Sequence, residues 1–174
     1  MINRQINNTC DKAIVAFSKG DSNALSVIYD CMARMIFSVA YAVTGNYQDA
    51  EDVLQDTMIE ITTYAHTYQS GTNAKAWILA MTRHLSIDVV RKKKAAFSAD
   101  DSEIAETPVT EPGFSEIETL DMLRILDEEE KQLVIFRLYT ELPYKQIAEI
   151  MKISVAAAQK QYQRAIKKLQ SHYL

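Results

Sequence analysis

Helix-breaking residues are so few in this chain, and so placed, that little besides long helices can lie between them. Gly20, Gly45, Gly71, Gly113, Pro108, Pro112 and Pro143 are all the glycines and prolines among 174 residues. The stretches between them carry apolar residues at helical spacing. From Asp21, a suitable N-cap, Leu25, Ile28, Tyr29, Met32, Met35, Ile36, Val39 and Val43 recur every three or four positions up to Gly45, which predicts one long amphipathic helix. A second is expected from about Asp49, burying Val53, Leu54, Met58, Ile61 and Tyr64 and presenting Glu51, Asp52, Gln55, Asp56 and Glu60 on its polar face. A third follows Gly71, capped by Asn73, with Trp77, Ile78, Met81, Leu85 and Val89 as its stripe and the basic run Arg91 to Lys94 at its end, where cations suit the helix dipole. Trp77 lies on the stripe and reads as a core anchor rather than a base-stacking residue. The segment before Gly20 admits either a contact of its own or a helix turn packed on the first domain.

From Ala96 to Phe114 the periodicity disappears, acids accumulate and two of the three prolines occur, the pattern of a linker. The expected organisation is all-α: a helical domain over residues 1–95, a linker over 96–114, and a second helical domain over 115–174. In the last, a helix from about Ser115 to Leu126 precedes one entered through Asp127-Glu128-Glu129-Glu130, a capping sequence. A hydrophobic share of 48% and a charged share of 24% supply enough apolar side chains for two small cores.

A net charge of −4 argues at first against a nucleic-acid partner, because phosphate binding needs a basic surface that displaces counterions. Its distribution argues the other way. Residues 1–70 hold four bases against eight acids, 71–97 six bases against Asp88 alone, 98–130 twelve acids against Arg124, and 131–174 eight bases against two acids. Two basic islands separated by an acidic bridge suit two contacts with a polyanion and an acidic surface for a different partner.

The second island contains LPYKQIAEIMKISVAAAQKQYQRAIKKL. Pro143 favours a helix start at Tyr144, Lys152-Ile153 makes a short turn, and Ser154 caps a further helix. Two helices across a tight turn are the form of a DNA-binding helix-turn-helix, whose second helix enters the major groove by its N-terminal residues, here Val155 to Gln161. Ala158, Tyr162, Ala165, Ile166 and Leu169 have core spacing, so Gln159, Lys160, Gln163, Arg164, Lys167 and Lys168 face solvent or DNA. A helical hairpin with a solvated basic face gives the same pattern.

Residues 141–169, ELPYKQIAEIMKISVAAAQKQYQRAIKKL, resemble region 4 of bacterial sigma factors, whose common form is close to LSYEEIAEILGIS followed by a recognition helix ending RARKKL. GDSNALSVIYDCMARMIFSVAYAVTGNYQDAEDVLQDTMIEI resembles regions 2.1 to 2.2, and NAKAWILAMTRHLSIDVVRKKK regions 2.3 to 2.4. The short linker without a third domain is similar to the extracytoplasmic-function (ECF) group of the sigma-70 family. The resemblance implies a transcription initiation factor whose partners are core RNA polymerase, through the clamp helices of the largest subunit and the flap of the second-largest, promoter DNA, and an anti-sigma factor.

The resemblance also assigns residues. Asp49, Glu51, Asp52, Gln55 and Asp56 would meet the clamp helices. Tyr64, His66, Tyr68, Arg83, His84, Asp88, Arg91, Lys92, Lys93 and Lys94 would meet the promoter −10 element, with the loop from His66 to Asn73 holding a base turned out of the stack; aromatic faces and cations suit single-stranded DNA. Tyr144, Ser154, Ala157, Gln159, Lys160, Gln161, Arg164 and Lys168 would meet the −35 element. Two departures bear on base preference. The family commonly has Asn where this chain has His84, and its usual Gly-Thr-Val-Lys-Ser-Arg is Ala156 to Gln161 here. A Gln in place of a groove-reading Arg favours adenine N6 and N7 over guanine O6 and N7, unless shape and phosphate contacts dominate. The acidic linker, with Asp100, Asp101, Glu103 and Glu106, is a candidate to lie against a basic island in the free protein.

Two other readings remain: a sigma-like interaction module without promoter opening, and a free-standing helix-turn-helix regulator. An enzyme fits least, since no paired catalytic carboxylates, nucleophile with its base, or phosphate-cradling glycine loop is present. Cys10 and Cys31 form no CxxC pair and His66, His84 and His172 are scattered, so no metal, no cofactor and reduced thiols are expected. The start MINRQINNTCDKAIVAF lacks a signal-peptide core, and no uncharged apolar run approaches a membrane span, which points to the cytosol.

Overall fold

The fold is that of a computed structural model describing residues 2–97, 120 and 122–174, with side chains from Arg4. Among the described residues there are seven α-helices and no strand: α1 (Ile2–Ser18), α2 (Ala24–Thr44), α3 (Tyr47–Tyr64), α4 (Ala74–Phe97), α5 (Glu128–Val134), α6 (Tyr144–Met151) and α7 (Val155–Tyr173). Ala96 and Phe97, expected to open the linker, still belong to α4, while the rest of the acidic linker and the expected helix start at Ser115 fall outside the described residues; in place of the last turn of that expected helix, Met122–Ile125 forms a 3-10 turn.

Local chemistry places the helix ends. Helix α3 begins at Tyr47, slightly before the expected start near Asp49, and is capped by Asn46, which accepts from the Asp49 N–H at 3.0 Å; α2 begins at Ala24 rather than at Asp21, whose carboxylate accepts instead from the Asn23 N–H. Asn73 caps α4 by accepting from the Ala76 N–H, and Ser154 caps α7 by accepting from the Ala157 N–H. Asp127 and Glu130 form a capping box at α5, each side chain accepting from the other residue's backbone N–H.

The core runs through both helical units. Helix α2 is central: Ile28, Met32, Ile36, Val39 and Val43 are buried, together with Phe37, Ser38, Ala40 and Ala42 on its other side. By length and composition α2 would pass for a membrane span, although it includes Asp30 and Arg34; half of its apolar stretch is covered by the other helices. Tyr29, on the expected stripe, is 49% exposed, because α1, α3, α4 and the start of the second unit, Glu128–Tyr139, cover other faces of α2 and leave that one open. Leu133, Ile135, Phe136, Leu142, Ile147 and Met151 from the second unit join the same apolar cluster as Ile14, Ile28, Ile36 and Ile78 from the first. A separate small cluster of Leu126, Val134 and Ala165, with Leu169 against it, joins α5 to α7.

Polar ties reinforce the seam between the units. The Asn73 amide donates to Gln146 Oε1 at 2.6 Å, Arg83 Nε donates to Gln132 Oε1 at 2.7 Å, and Lys75 Nζ donates to the Thr140 carbonyl. Lys75 and Gln132 are both buried, and burial pulls the Lys75 ammonium below its ordinary value.

Candidate nucleic-acid interface

The helix-turn-helix is built around a turn that has no glycine. Lys152 takes the left-handed conformation (φ 57°), which lets its N–H and that of Ile153 reach the carbonyls at the end of α6. Upstream, the helix continuing α5 widens into a π turn over Ile135–Tyr139, where the Thr140 N–H reaches the Ile135 carbonyl and Glu141 is again left-handed (φ 52°). There Arg137 donates to the Leu142 carbonyl and lies 4.8 Å from the Tyr144 ring centroid, and Tyr144 packs edge-on against Tyr162 at 5.9 Å. Tyr144 is therefore half-buried between helices rather than presented at the surface.

On α7, Gln159, Lys160, Gln163 and Arg164 are exposed and contiguous, a polar face of the kind that enters a groove. Three of the other expected residues are placed differently. Ser154 uses its hydroxyl as the helix cap. Lys168 turns back to Glu130 at 2.6 Å, tying α7 to the capping box of α5. Gln161 is half-buried between Ala158 and Ala165, and its amide oxygen is buried without a hydrogen-bond partner among the described residues. Ala157 is half-buried beside it.

Helix α4 carries the other basic surface and divides its residues between two faces. His84, Asp88, Arg91 and Lys92 share one open face at helical spacing, and Asp88 lies 3.8 Å from His84 and 3.9 Å from Arg91. Such exposed pairs contribute little to stability and leave the cations accessible. Arg83 points the other way, into the seam with the second unit, where its Nη1 also reaches the Ile150 carbonyl at 3.4 Å. Lys93 is drawn to Asp49 at 2.6 Å, so Asp49 holds the start of α3 to the end of α4; Lys94 is exposed.

Between α3 and α4 the chain makes a 3-10 turn over Ala65–Thr67 and then a loop to Asn73. Tyr64 and His66 are exposed and offer ring faces. Tyr68 does not: its ring packs on Trp77 at 5.1 Å and its hydroxyl donates to Asp11 Oδ1 at 2.7 Å. Asp11 also accepts from the Ser70 hydroxyl at 3.1 Å and the Gly71 N–H at 2.8 Å. Nothing in the sequence pattern marked Asp11, because its partners lie about sixty positions away.

The acidic face of α3 is open. Asp52, Gln55 and Asp56 are exposed, Glu51 is half-buried, and Ile59, one turn beyond Gln55, is 61% exposed beside them. An exposed isoleucine on this charged face was not singled out from the sequence. Among the described residues no three His, Cys, Asp or Glu side chains converge as a metal site would require.

Comparison with known proteins matches the chain to one family in two places: Sigma-70 region 2 over residues 28–96 and Sigma-70 region 4 over residues 117–169. The ECF RNA polymerase sigma factor SigM of Bacillus subtilis is 28% identical over 153 residues, which cover 84% of this chain and 93% of that protein. SigW of the same organism is 30% identical over 96 residues, 55% of this chain and 51% of that protein, so this match spans about half of SigW. Among solved structures, the fold is similar to sigma factor RpoE in its complex with anti-sigma factor NepR from Bartonella quintana (TM-score 0.73, 20% identity, covering 82% of this chain and 92% of that one). It is also similar to CnrH in complex with the cytosolic domain of CnrY (TM-score 0.67, 15% identity, covering 94% and 96%). With both regions matched in family order, one on each helical unit, the chain belongs to the sigma-70 family among the ECF RNA polymerase sigma factors, and is not an enzyme.

Proposed function

We propose that this chain acts in the cytosol as a promoter-specificity subunit of RNA polymerase, with three surfaces of distinct use. The Asp52, Gln55, Asp56 and Ile59 face of α3 docks on the clamp helices of the largest subunit. The open face of α4, together with Tyr64, His66 and the following loop, engages the −10 element as its strands separate. The helix-turn-helix engages the −35 element through Gln159, Lys160, Gln163 and Arg164 and meets the flap of the second-largest subunit. The observation that carries this reading is the coexistence on one core of an acidic helix face with an apolar residue in it and two separate basic faces. Because RpoE is found in complex with the anti-sigma factor NepR, and CnrH in complex with the cytosolic domain of CnrY, a protein inhibitor that covers one or more of these surfaces is part of the proposal.

Titration of fluorescently labelled chain with core polymerase tests the first surface. Asp52→Lys and Asp56→Lys each weaken binding about tenfold at low salt, with a reduced salt dependence. Unchanged affinity in the double variant would move the docking surface elsewhere. The buried amide oxygen of Gln161 favours one second reading, an interaction module that occupies polymerase without reading a −35 element.

A further inference from the structure

We infer that Asp11 is a positioning residue of the promoter-reading loop, and that helix α1 thereby belongs to the −10 machinery although the region 2 match begins only at residue 28. This rests on the reading above that the loop from His66 to Asn73 meets the −10 element.

Cys10 and Ile14 are fully buried, which fixes the rotation of α1 on the bundle and places Asn7 and Asp11, one turn apart, on the side facing the loop and the start of α4. Asn7 Oδ1 accepts from the Lys75 N–H at 3.2 Å, engaging a donor in the first turn of α4, where backbone N–H groups look outside the helix for acceptors. Asp11 gathers three donors from the loop: the Tyr68 hydroxyl, the Ser70 hydroxyl and the Gly71 N–H. The Tyr68 hydroxyl bond first of all, and then those from Gly71 and Ser70, hold the Asp11 carboxyl below its ordinary range. The tie is therefore ionised and present throughout the neutral range.

The consequence for recognition is geometric. Gln69, Ser70, Gly71 and Thr72 are exposed, so no packing fixes this loop from the solvent side. Gly71 is left-handed (φ 83°), a conformation the loop keeps because the Gly71 N–H is anchored on Asp11. A pocket that holds one flipped base and rejects the others requires its walls to be held within a fraction of an ångström, and here the anchor is a carboxylate on another helix. Tyr68 serves as a strut in this arrangement, with its ring on Trp77 and its hydroxyl on Asp11.

The test is transcription by core polymerase with the full chain over promoters carrying every base at each −10 position, comparing wild type with Asp11→Asn and Tyr68→Phe. The second variant keeps the ring on Trp77 and removes only the hydroxyl, so it stands if Asp11→Asn folds poorly. The expected result is a loss of base preference at one −10 position by about fivefold, set against the tens-fold that one base pair commonly decides. Core affinity and −35 preference hold, and the fluorescence of Trp77, the one tryptophan of the chain, shifts. A purely structural role lowers transcription equally from every promoter and leaves the base preference intact, and that result in both variants would overturn the inference. Silence from the wild-type chain would instead overturn the functional reading, and this inference with it.

Discussion

Replacing Gln132 by Leu removes the acceptor that ties Arg83 to the second helical unit while keeping the volume of a side chain that is almost fully buried. The bond is short, 2.7 Å, and its donor is charged. A hydrogen bond to a charged group contributes about 1.5–3 kcal/mol, and leaving the guanidinium without that acceptor adds to the loss. Arg83 is only half-buried, however, and water replaces part of what Gln132 supplied, so the expected coupling is about 1–2 kcal/mol. Its other partner in the seam, the Ile150 carbonyl, lies at 3.4 Å and compensates weakly. Urea unfolding of wild type, Arg83→Met, Gln132→Leu and the double variant isolates the pair in a double-mutant cycle. The seam also engages a cation expected on the −10 element. Gln132→Leu should therefore raise the affinity of the free chain for a single-stranded −10 oligonucleotide by the matching factor of about 5–30. A coupling below about 0.3 kcal/mol with unchanged oligonucleotide affinity would refute the claim that this contact holds the two units together.

Lys152→Gly removes a side chain from a left-handed position and should stabilise the helix-turn-helix by about 0.5–1 kcal/mol, read as a higher urea midpoint; a lower midpoint would mean that the lysine side chain makes a contact outweighing its backbone strain. Alkaline stability should fall early. Burial raises the Cys10 thiol from 9.0 to about 12, with Cys31 beside it contributing, and burial followed by the Asp11 bond raises the Tyr68 phenol from 10.0 to about 12. Both groups keep their protons in the fold after the unfolded chain has lost them. The associated stability is complete below pH 9 and declines as pH rises toward 12, with Cys10 contributing a slope of at most about 1.4 kcal/mol per pH unit. Cys10→Ala should flatten the decline between pH 9 and 10, and an equal decline in variant and wild type would reject the assignment.

How much of this could be read from sequence follows from how far apart the interacting residues lie. Helices and their caps at Asn73, Asp127 and Ser154 were legible because a cap and its target are three residues apart and the breakers are few. The helix-turn-helix was legible for the same reason. The left-handed Lys152 and Glu141 were not, since the usual signal for such positions is glycine, and here tertiary packing imposes the conformation on residues that resist it. Side chains with two plausible partners were the least legible. The resemblance assigns Arg83, Lys93 and Lys168 to contacts with DNA, yet in the fold they meet Gln132, Asp49 and Glu130, each brought near by packing between helices distant in sequence. Asp11 lay in a segment for which the sequence offered two readings, and only the return of the chain near Tyr68 gives it a role. Gln161 departs from its expected exposure because Ala158 and Ala165, on the same side of α7, turn that side toward the core.

Directing polymerase to promoters is the property that separates a sigma factor from a mere interaction module. Run-off transcription with purified core polymerase over a randomised promoter library, with and without the chain, tests it most directly. Chain-dependent transcripts that share a −10 element and, upstream at a fixed spacing, a −35 element are expected. Stable binding to core polymerase without any such transcripts would contradict this reading and leave an interaction module as the function of the fold.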